Sequence, residues 1–426
     1  MHLFGGIVGS ALVYTFANAF TAAIPLLLLP LLTRIMSPED YGSVAMFGVL
    51  IQLLGAVTGL SVHGAVGMRY FERNDLDFPR YVASALAVLG ASSLVVLITV
   101  LALMPMLEEF FGLPKAWILV AVLVSAASFV TQIQLAIWQS ARSPFHFAAL
   151  RIGQSLLDLT ATLILVVGFA LAWQGRAGAM SIASVLISGI ALLSLLRGGW
   201  LKLAPRSDYV SNALRFGVPL VPHALGGLLV ASVDRLMITN ILDIGSAGIY
   251  FVAIQIGLAI NLATDAFNRA FAPWLIESLK SPSPERDRRV VQATYGCFAL
   301  LLAASVAIGL AAPSVLAIVV GPEFRQAGEL VIYIAIGQAF GGMYYLVTNY
   351  VFFANRTARL AVVSISAGLI NVGLSYVFLS KWGLVGAGIA FVAAQAILFI
   401  GTFALAAQSQ PMPWLSALRP KPAVQP

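Results

Sequence analysis

The sequence predicts an all-α membrane protein with twelve transmembrane helices in two six-helix lobes. Hydrophobic residues make up 60% of the 426 positions and charged residues only 10%, and the mean hydropathy is +0.95. These values lie outside the range of soluble globular domains. Long apolar runs, each reaching or approaching the ~20 residues that a helix needs to cross ~30 Å of hydrocarbon, lie at residues 5–33, 41–68, 81–104, 116–137, 152–172, 179–196, 213–240, 246–270, 291–320, 330–353, 360–380 and 384–407.

The basic residues between these runs predict the orientation of the chain. Of the 24 Lys and Arg residues, 18 lie in alternate gaps or near the C-terminus, and the other six gaps hold one each. Because basic loops stay in the cytoplasm, this alternation places both termini inside the cell.

A polar stretch around Pro205 divides the runs into two sets, so we expect lobes at 1–205 and 206–426. The segments that follow the first and seventh runs, Thr33–Gly42 and Thr239–Gly248, match at Thr, Ile and Gly with a constant offset of 206. Two six-helix repeats insert in the same orientation and enclose a cleft, where a transported substrate binds. Prolines at positions 25, 30, 219 and 222 predict interruptions in the first helix of each lobe.

Composition and motifs exclude several classes of function. The net charge of +7 follows from basic cytoplasmic loops, so no nucleic-acid partner is expected. The single cysteine, Cys297, excludes an internal disulfide. The sequence holds no nucleotide-binding loop, metal-ligand cluster or Ser/His/Asp constellation, so we expect no catalysis, metal or cofactor.

Three acidic residues, Asp158, Asp234 and Asp265, fall within or at the edge of the apolar runs. A charge at the bilayer centre costs about 2.5–3.5 kcal/mol on insertion scales, so each needs a partner, a water-filled cavity or a proton. Asp158 and Asp265 are the candidates for ion coupling. The alternative for Asp158 is a neutral carboxyl bonded to a neighbouring helix. Asp265 and Arg269 are spaced for an ion pair on one helix, and Asp234 with Arg235 fits an interfacial pair that reaches toward the headgroups.

Cationic residues at the ends of the runs are candidates for phosphate binding, because a guanidinium makes paired bonds to phosphate oxygens. The candidates are Arg34, Arg69, Arg151 and Arg269. The alternative is that each only anchors its helix at the membrane surface. His223, which directly follows Pro222, is a further candidate for the lining of the substrate path.

Three stretches carry a resemblance to a known family. They are Leu214–Gly227, then Ser232–Ile238 with Asp234-Arg235 followed by Gly248-Ile249-Tyr250, and Pro38–Gly42 followed by Gly59-Leu60-Ser61 and Arg69. In these residues the chain resembles the polysaccharide flippases of the O-antigen (Wzx) type, in the multidrug/oligosaccharidyl-lipid/polysaccharide exporter superfamily.

The resemblance implies a V of two lobes that open alternately to the two sides of a bacterial inner membrane. It implies the transfer of a polyprenyl-diphosphate-linked oligosaccharide from the inner to the outer leaflet, for lipopolysaccharide or exopolysaccharide synthesis. The implied partners are this lipid-linked oligosaccharide, membrane lipids and polysaccharide polymerase or assembly proteins. Arg69, Asp234 and Arg235 occupy positions of the family pattern.

Other classes remain as alternatives. A proton- or sodium-coupled multidrug exporter of the same superfamily would favour an acidic and aromatic cleft. A major-facilitator transporter would carry a Gly-x3-Asp-Arg signature after the second helix, which this chain lacks. A non-transporting scaffold or a glycan polymerase belongs to a third class.

Overall fold

The computed structural model describes residues 2–280, 283–354 and 356–417; within these, the side chains of residues 2–11, 223, 230, 270, 357 and 358 are not described. The described residues form α-helices with short 3₁₀ or π turns and contain no β-strand. The helices are α1 His2–Ile35, α2 Pro38–Val57, α3 Val62–Arg69, α4 Phe78–Ala102, α5 Met104–Phe111, α6 Lys115–Ser140, α7 Pro144–Thr162, α8 Ala172–Arg197, α9 Ser207–Gly217, α10 Val221–Ile241, α11 Ile244–Lys280, α12 Pro284–Val319, α13 Ala327–Phe353 and α14 Thr357–Ser409.

Most of these helices are long and apolar enough to cross a membrane. In the described part of the chain, 10 helical segments meet this condition, and a bent pair, Ser207–Leu229 with Ala231–Ile241, raises the number to 11. The pair bends by 55°. The protein is therefore a multi-pass membrane protein, as predicted.

The chain divides into two compact units. The first comprises Met1–Phe251 with Val320–Glu323, and the second comprises Val252–Val319 with Phe324–Pro426. The boundary expected at residue 205 remains a prediction. A core of unit 1 packs Tyr70, Phe78 and Tyr81 against Trp200. A core of unit 2 packs Tyr350 and Trp414 against α11, α12 and α14.

The second long apolar run is broken between α2 and α3. Three consecutive residues, Gly59, Leu60 and Ser61, have left-handed backbone angles, with φ of 72°, 49° and 57°. The break leaves backbone groups without helical partners, and the Ser92 hydroxyl accepts a hydrogen bond of 2.8 Å from the amide of Gly59. The left-handed conformation costs roughly 1–2 kcal/mol for each residue with a Cβ. The break is thus held by tertiary contacts.

The predicted proline interruptions form in one lobe only. A 3₁₀ turn at Val218–Leu220, which contains Pro219, separates α9 from α10. The expectation for Pro25 and Pro30 is wrong, because α1 continues through both prolines to Ile35. A long helix tolerates proline where neighbouring groups satisfy the freed carbonyls.

Helices α2 and α11 begin with matching caps. In α2 the Ser37 hydroxyl accepts from the Asp40 amide, and the Asp40 carboxylate accepts from the Ser37 amide, which is a capping box. At α11 the Asp243 carboxylate accepts from the amide of Ser246 at 2.6 Å and from its hydroxyl at 2.8 Å. A cap of this kind stabilises a helix start by about 1 kcal/mol.

Candidate functional site

Arg69 opens onto a cavity of unit 1 that contains a second arginine. The cavity, of about 320 Å³, is lined by Ala65, Met68, Arg69, Glu72, Asn212, Arg215 and Phe216. Helix α3 ends at Arg69, and α9 carries Asn212 and Arg215. Two arginines and one glutamate therefore line this open cavity, and the excess of positive charge suits an anion.

Hydrogen bonds hold Arg69 in this position. Its Nε donates to Asn212 Oδ1 at 3.2 Å, and the hydroxyl of Tyr81 donates to the same oxygen at 3.0 Å. One terminal nitrogen of Arg69 forms an ion pair with Glu72. Asn212 and Glu72 together fix the guanidinium of Arg69 at the edge of the cavity.

Arg215 was missed by the sequence reasoning. Its only sequence signal is its place in a basic gap, at the end of α9. Its proximity to Arg69 depends on packing of α3 against α9, where Leu60 and Val62 of the broken helix lie close to Gly217.

Asp158 forms a buried ion pair with a residue of the next helix. One terminal nitrogen of Arg176 lies 2.5 Å from Asp158 Oδ1, and the same nitrogen donates to Thr162 Oγ1 at 3.0 Å. The side chains of Arg176 and Asp158 are only 10% and 17% exposed. The sequence left open that Asp158 is a neutral carboxyl bonded to a neighbouring helix. Asp158 does bond a neighbouring helix, but its partner there is a cation, Arg176.

A polar stripe runs along one face of α7. Arg151, Ser155, Asp158 and Thr162 are spaced by four, three and four residues, which places them on one side of a helix. The stripe is about 16 Å long at 1.5 Å per residue. Ser155 bonds Thr21 of α1 at 3.0 Å, so the stripe lies inside unit 1.

Arg151 stands at one end of this stripe with unused hydrogen-bonding capacity. Its Nε is buried and, within the described residues, has no hydrogen-bond partner. The hydroxyl of Tyr14 on α1 is also buried without a hydrogen-bond partner among the described residues. The Tyr14 ring packs edge-on against Phe147, with ring centroids 4.9 Å apart, and Phe147 lies one helical turn before Arg151. Unsatisfied buried donors are costly, so both groups are suited to a polar or anionic ligand.

Asp234 and Arg235 are buried in unit 1. Asp234 is 2% exposed, and its carboxylate accepts from Tyr250 Oη and from the Arg235 amide, each at 2.8 Å. The Arg235 guanidinium donates to Ala231 O at 2.6 Å and to Ser232 Oγ at 2.7 Å. The expected interfacial pair that reaches toward the headgroups is therefore wrong: both residues are 7% exposed or less, and they bond their own helix and α11.

Asp265 and Arg269 form the ion pair predicted from their spacing. Asp265 Oδ2 accepts from Arg269 Nε at 3.0 Å and from a terminal nitrogen at 2.8 Å. Their side chains are 51% and 47% exposed. Charged groups in a spanning helix avoid lipid, so we expect this face of α11 to contact water.

The described contacts bring some candidates together and not others. Arg69 meets Arg215 in the cavity, while Arg151 lies on the α7 stripe with Asp158. Arg34 lies exposed in the last turn of α1. The side chain of His223 lies outside the described residues. In the described part of the chain, no three His, Cys, Asp or Glu side chains are grouped as metal ligands.

The fold is that of solved membrane transporters. A structure of the lipid II flippase MurJ in an inward closed conformation aligns with a TM-score of 0.76 at 14% identity, over 92% of this chain and 87% of that one. An inward-facing multidrug resistance MATE transporter of the MOP superfamily aligns with a TM-score of 0.69 at 15% identity, over 92% and 94% of the two chains. Fold and apolar helices together define a multi-pass membrane protein that shares the fold of MurJ and of MATE transporters.

The family model for polysaccharide biosynthesis proteins matches residues 7–279, and the chain belongs to this family. A relative from Haemophilus influenzae, putative protein 1 of the Lsg locus, is 20% identical in an alignment of 380 positions that covers 85% of this chain and 88% of the relative. The family that the sequence resemblance indicated is therefore confirmed.

Proposed function

We propose that this protein moves a polyprenyl-diphosphate-linked oligosaccharide from the inner to the outer leaflet of a bacterial cytoplasmic membrane. The observation that carries the proposal is the cavity of unit 1 in which Arg69 and Arg215 lie beside Asn212. A diphosphate is a compact anion, and paired guanidinium groups match its oxygens. The family and the fold support a transport function for this site.

The other cationic candidates have a secondary role in the proposed transport. Arg151, Arg269 and Arg34 neutralise the diphosphate along its path, with His223, Asp234 and Arg235 near that path. Arg151 is supported by its unpartnered Nε, and Arg269 by its exposure on a spanning helix. Asp158 or Asp265 exchanges a proton or cation during the cycle; Asp265, which is half exposed, has the easier access to water.

We also propose twelve spans with both termini in the cytoplasm. Helix α14 contains 53 residues, which at 1.5 Å per residue is about 80 Å and far exceeds one membrane thickness. Gly383 within it has a non-helical backbone, with φ 57° and ψ −141°. A division at Gly383 gives two spans, and the bent pair 207–241 gives one more beyond the nine remaining long helices.

Reconstitution in liposomes tests the function. The substrate is a polyprenyl diphosphate that carries one N-acetylhexosamine, and an enclosed glycosyltransferase reports its arrival in the opposite leaflet. Arg69→Gln and Arg215→Gln are each expected to slow transfer about tenfold or more, since a hydrogen bond to a charged group contributes about 1.5–3 kcal/mol. Arg206→Gln is the matched control, because Arg206 is bound by Asp208 at 3.0 and 2.9 Å on the same cytoplasmic segment.

The same liposomes test the multidrug-exporter alternative. An exporter would move a cationic dye such as ethidium under an imposed proton or sodium gradient, and the arginine variants would leave this transport intact. Dye transport without lipid transfer would overturn the proposal.

A further inference from the structure

Unit 2 contains a group of amide side chains at the middle of three spanning helices. Asn261 lies near the midpoint of α11, Gln338 near that of α13, and Gln395 near that of the part of α14 after Gly383. All three residues belong to unit 2. The midpoints of spanning helices lie near the centre of the bilayer, where transporters bind their substrates.

Contacts bring these three amides to one place. Asn261 Nδ2 donates to Gln338 Oε1 at 3.4 Å. Gln338 and Gln395 both border Gly341, because a Cβ at this glycine would lie 3.9 Å and 3.5 Å from their Oε1 atoms. The absence of a side chain at Gly341 therefore leaves space between the two glutamines.

The amides keep most of their hydrogen-bonding capacity free. Among the described residues, Gln395 makes no side-chain hydrogen bond, and Gln338 uses only its oxygen, in the long bond to Asn261. By contrast, Asn349 of α13 bonds Asn268 of α11 at 2.8 Å and two carbonyls of its own helix. The two groups therefore differ: the Asn349 pair joins α13 to α11, while the Gln338 group has donors and acceptors left for a ligand.

The surroundings of the group specify the chemistry of that ligand. Tyr345, which is 39% exposed, lies near Asn261 and Asp265. The charge of Asp265 is balanced by Arg269. The group therefore combines neutral amides, a phenol and a balanced ion pair, with no excess charge. Such a surface matches sugar hydroxyl groups, each of which is both a donor and an acceptor.

We infer that Asn261, Gln338 and Gln395, with Tyr345 beside them, bind hydroxyl groups of the sugar that the lipid carries. This inference rests on the proposed function and deepens it, because it separates recognition of the sugar from recognition of the diphosphate. Each amide that bonds a hydroxyl contributes about three- to tenfold in affinity, the range of a neutral hydrogen bond.

Binding of two lipids to the full-length protein in nanodiscs tests the inference. One lipid is polyprenyl diphosphate, and the other carries a single N-acetylhexosamine. The wild-type protein is expected to bind the glycosylated lipid about tenfold more tightly. In Gln395→Leu and Gln338→Leu this preference falls at least threefold, while affinity for the sugar-free lipid is unchanged.

Asn349→Leu is the matched control, because it removes a bonded amide from α13. It is expected to lower the melting temperature and to preserve the preference for the sugar. Equal wild-type affinity for the two lipids, or an equal loss of both in the glutamine variants, would overturn the subsite and leave the proposed function standing. If neither lipid binds the wild-type protein, the proposed function itself fails.

Discussion

Gly42 and Gly248 pack directly against each other. A Cβ at Gly248 would lie 2.7 Å from the Gly42 amide nitrogen, and one at Gly42 would lie 2.8 Å from the carbonyl carbon of Ile244. The two glycines are equivalent positions of the proposed repeat, at the offset of 206, and they lie in the first turns of the equally capped helices α2 and α11. The close approach of these helix starts requires residues without a side chain.

In the proposed transport cycle, the starts of α2 and α11, which the proposed topology places outside, separate. Glu39 and Gly245 lie at this contact, since a Cβ at Gly245 would be 3.3 Å from Glu39 Cδ. We predict that a cross-link between Glu39→Cys and Gly245→Cys, in a Cys297→Ala background, abolishes lipid transfer in liposomes and that reduction restores it. Each single cysteine variant is the control. Full transfer by a protein shown to be cross-linked would contradict the prediction.

The break between α2 and α3 requires glycine at position 59. A Cβ there would overlap the ring of Phe129, and the φ of 72° disfavours any other residue. Gly59→Ala is expected to lower the free energy of unfolding by at least about 1 kcal/mol, measured by thermal unfolding in detergent.

Gly55→Ala is the control for that measurement, because nothing lies within 4 Å of a Cβ at Gly55 in the same apolar run. It should be neutral or slightly stabilising, since alanine reduces the entropy of the unfolded chain. Phe129→Leu in the Gly59→Ala background should recover the steric part of the loss and not the backbone part. Equal stability of the two alanine variants would show that the break is not strained.

Much of the architecture could be predicted from the sequence because lipid imposes simple rules. Long apolar runs must be helices when no water is present to bond the backbone. The ion pair of Asp265 with Arg269 could also be predicted, since it depends only on helical spacing. The family could be recognised from short stretches such as Asp234-Arg235.

The partners of the buried charges could not be predicted in the same way. Arg176 lies between two apolar runs in the sequence and resembles a loop anchor, yet its side chain reaches Asp158 on α7. Asp234 bonds Tyr250, 16 residues away on α11. Both contacts depend on how each helix is rotated about its axis relative to its neighbour. A hydropathy pattern carries no information on this rotation.

Variants of the Asp158–Arg176 ion pair can distinguish a structural role of the pair from a role of Asp158 in ion coupling. Asp158→Asn leaves a buried arginine without its counter-charge, which costs about 3–5 kcal/mol. We therefore expect a lower melting temperature and little lipid transfer. Asp158→Asn with Arg176→Gln removes both charges and should recover most of the melting temperature. If Asp158 is the carboxyl that exchanges a proton or cation, lipid transfer stays low in this double variant.

Recovery of both melting temperature and transfer in the double variant would make the pair purely structural. Arg80→Gln with Asp77→Asn is the control, because that pair is more than a third exposed on both sides, with Nε and Oδ2 3.2 Å apart. An exposed pair contributes about 0–1 kcal/mol, so this double variant should behave as the wild-type protein does.

The twelve-span topology can be tested at the break in α14. Gly383 ends the first part of that helix, and the exposed residue Lys381 lies two positions before it. With both termini in the cytoplasm, the gap between the apolar runs 360–380 and 384–407 lies outside the cell. A membrane-impermeant maleimide should therefore label Lys381→Cys in intact spheroplasts of a Cys297→Ala strain. Ser207→Cys, at the start of α9, should be labelled only after the membrane is opened. If α14 crossed the membrane once, Lys381 would lie within the bilayer, and its cysteine would resist the reagent from both sides.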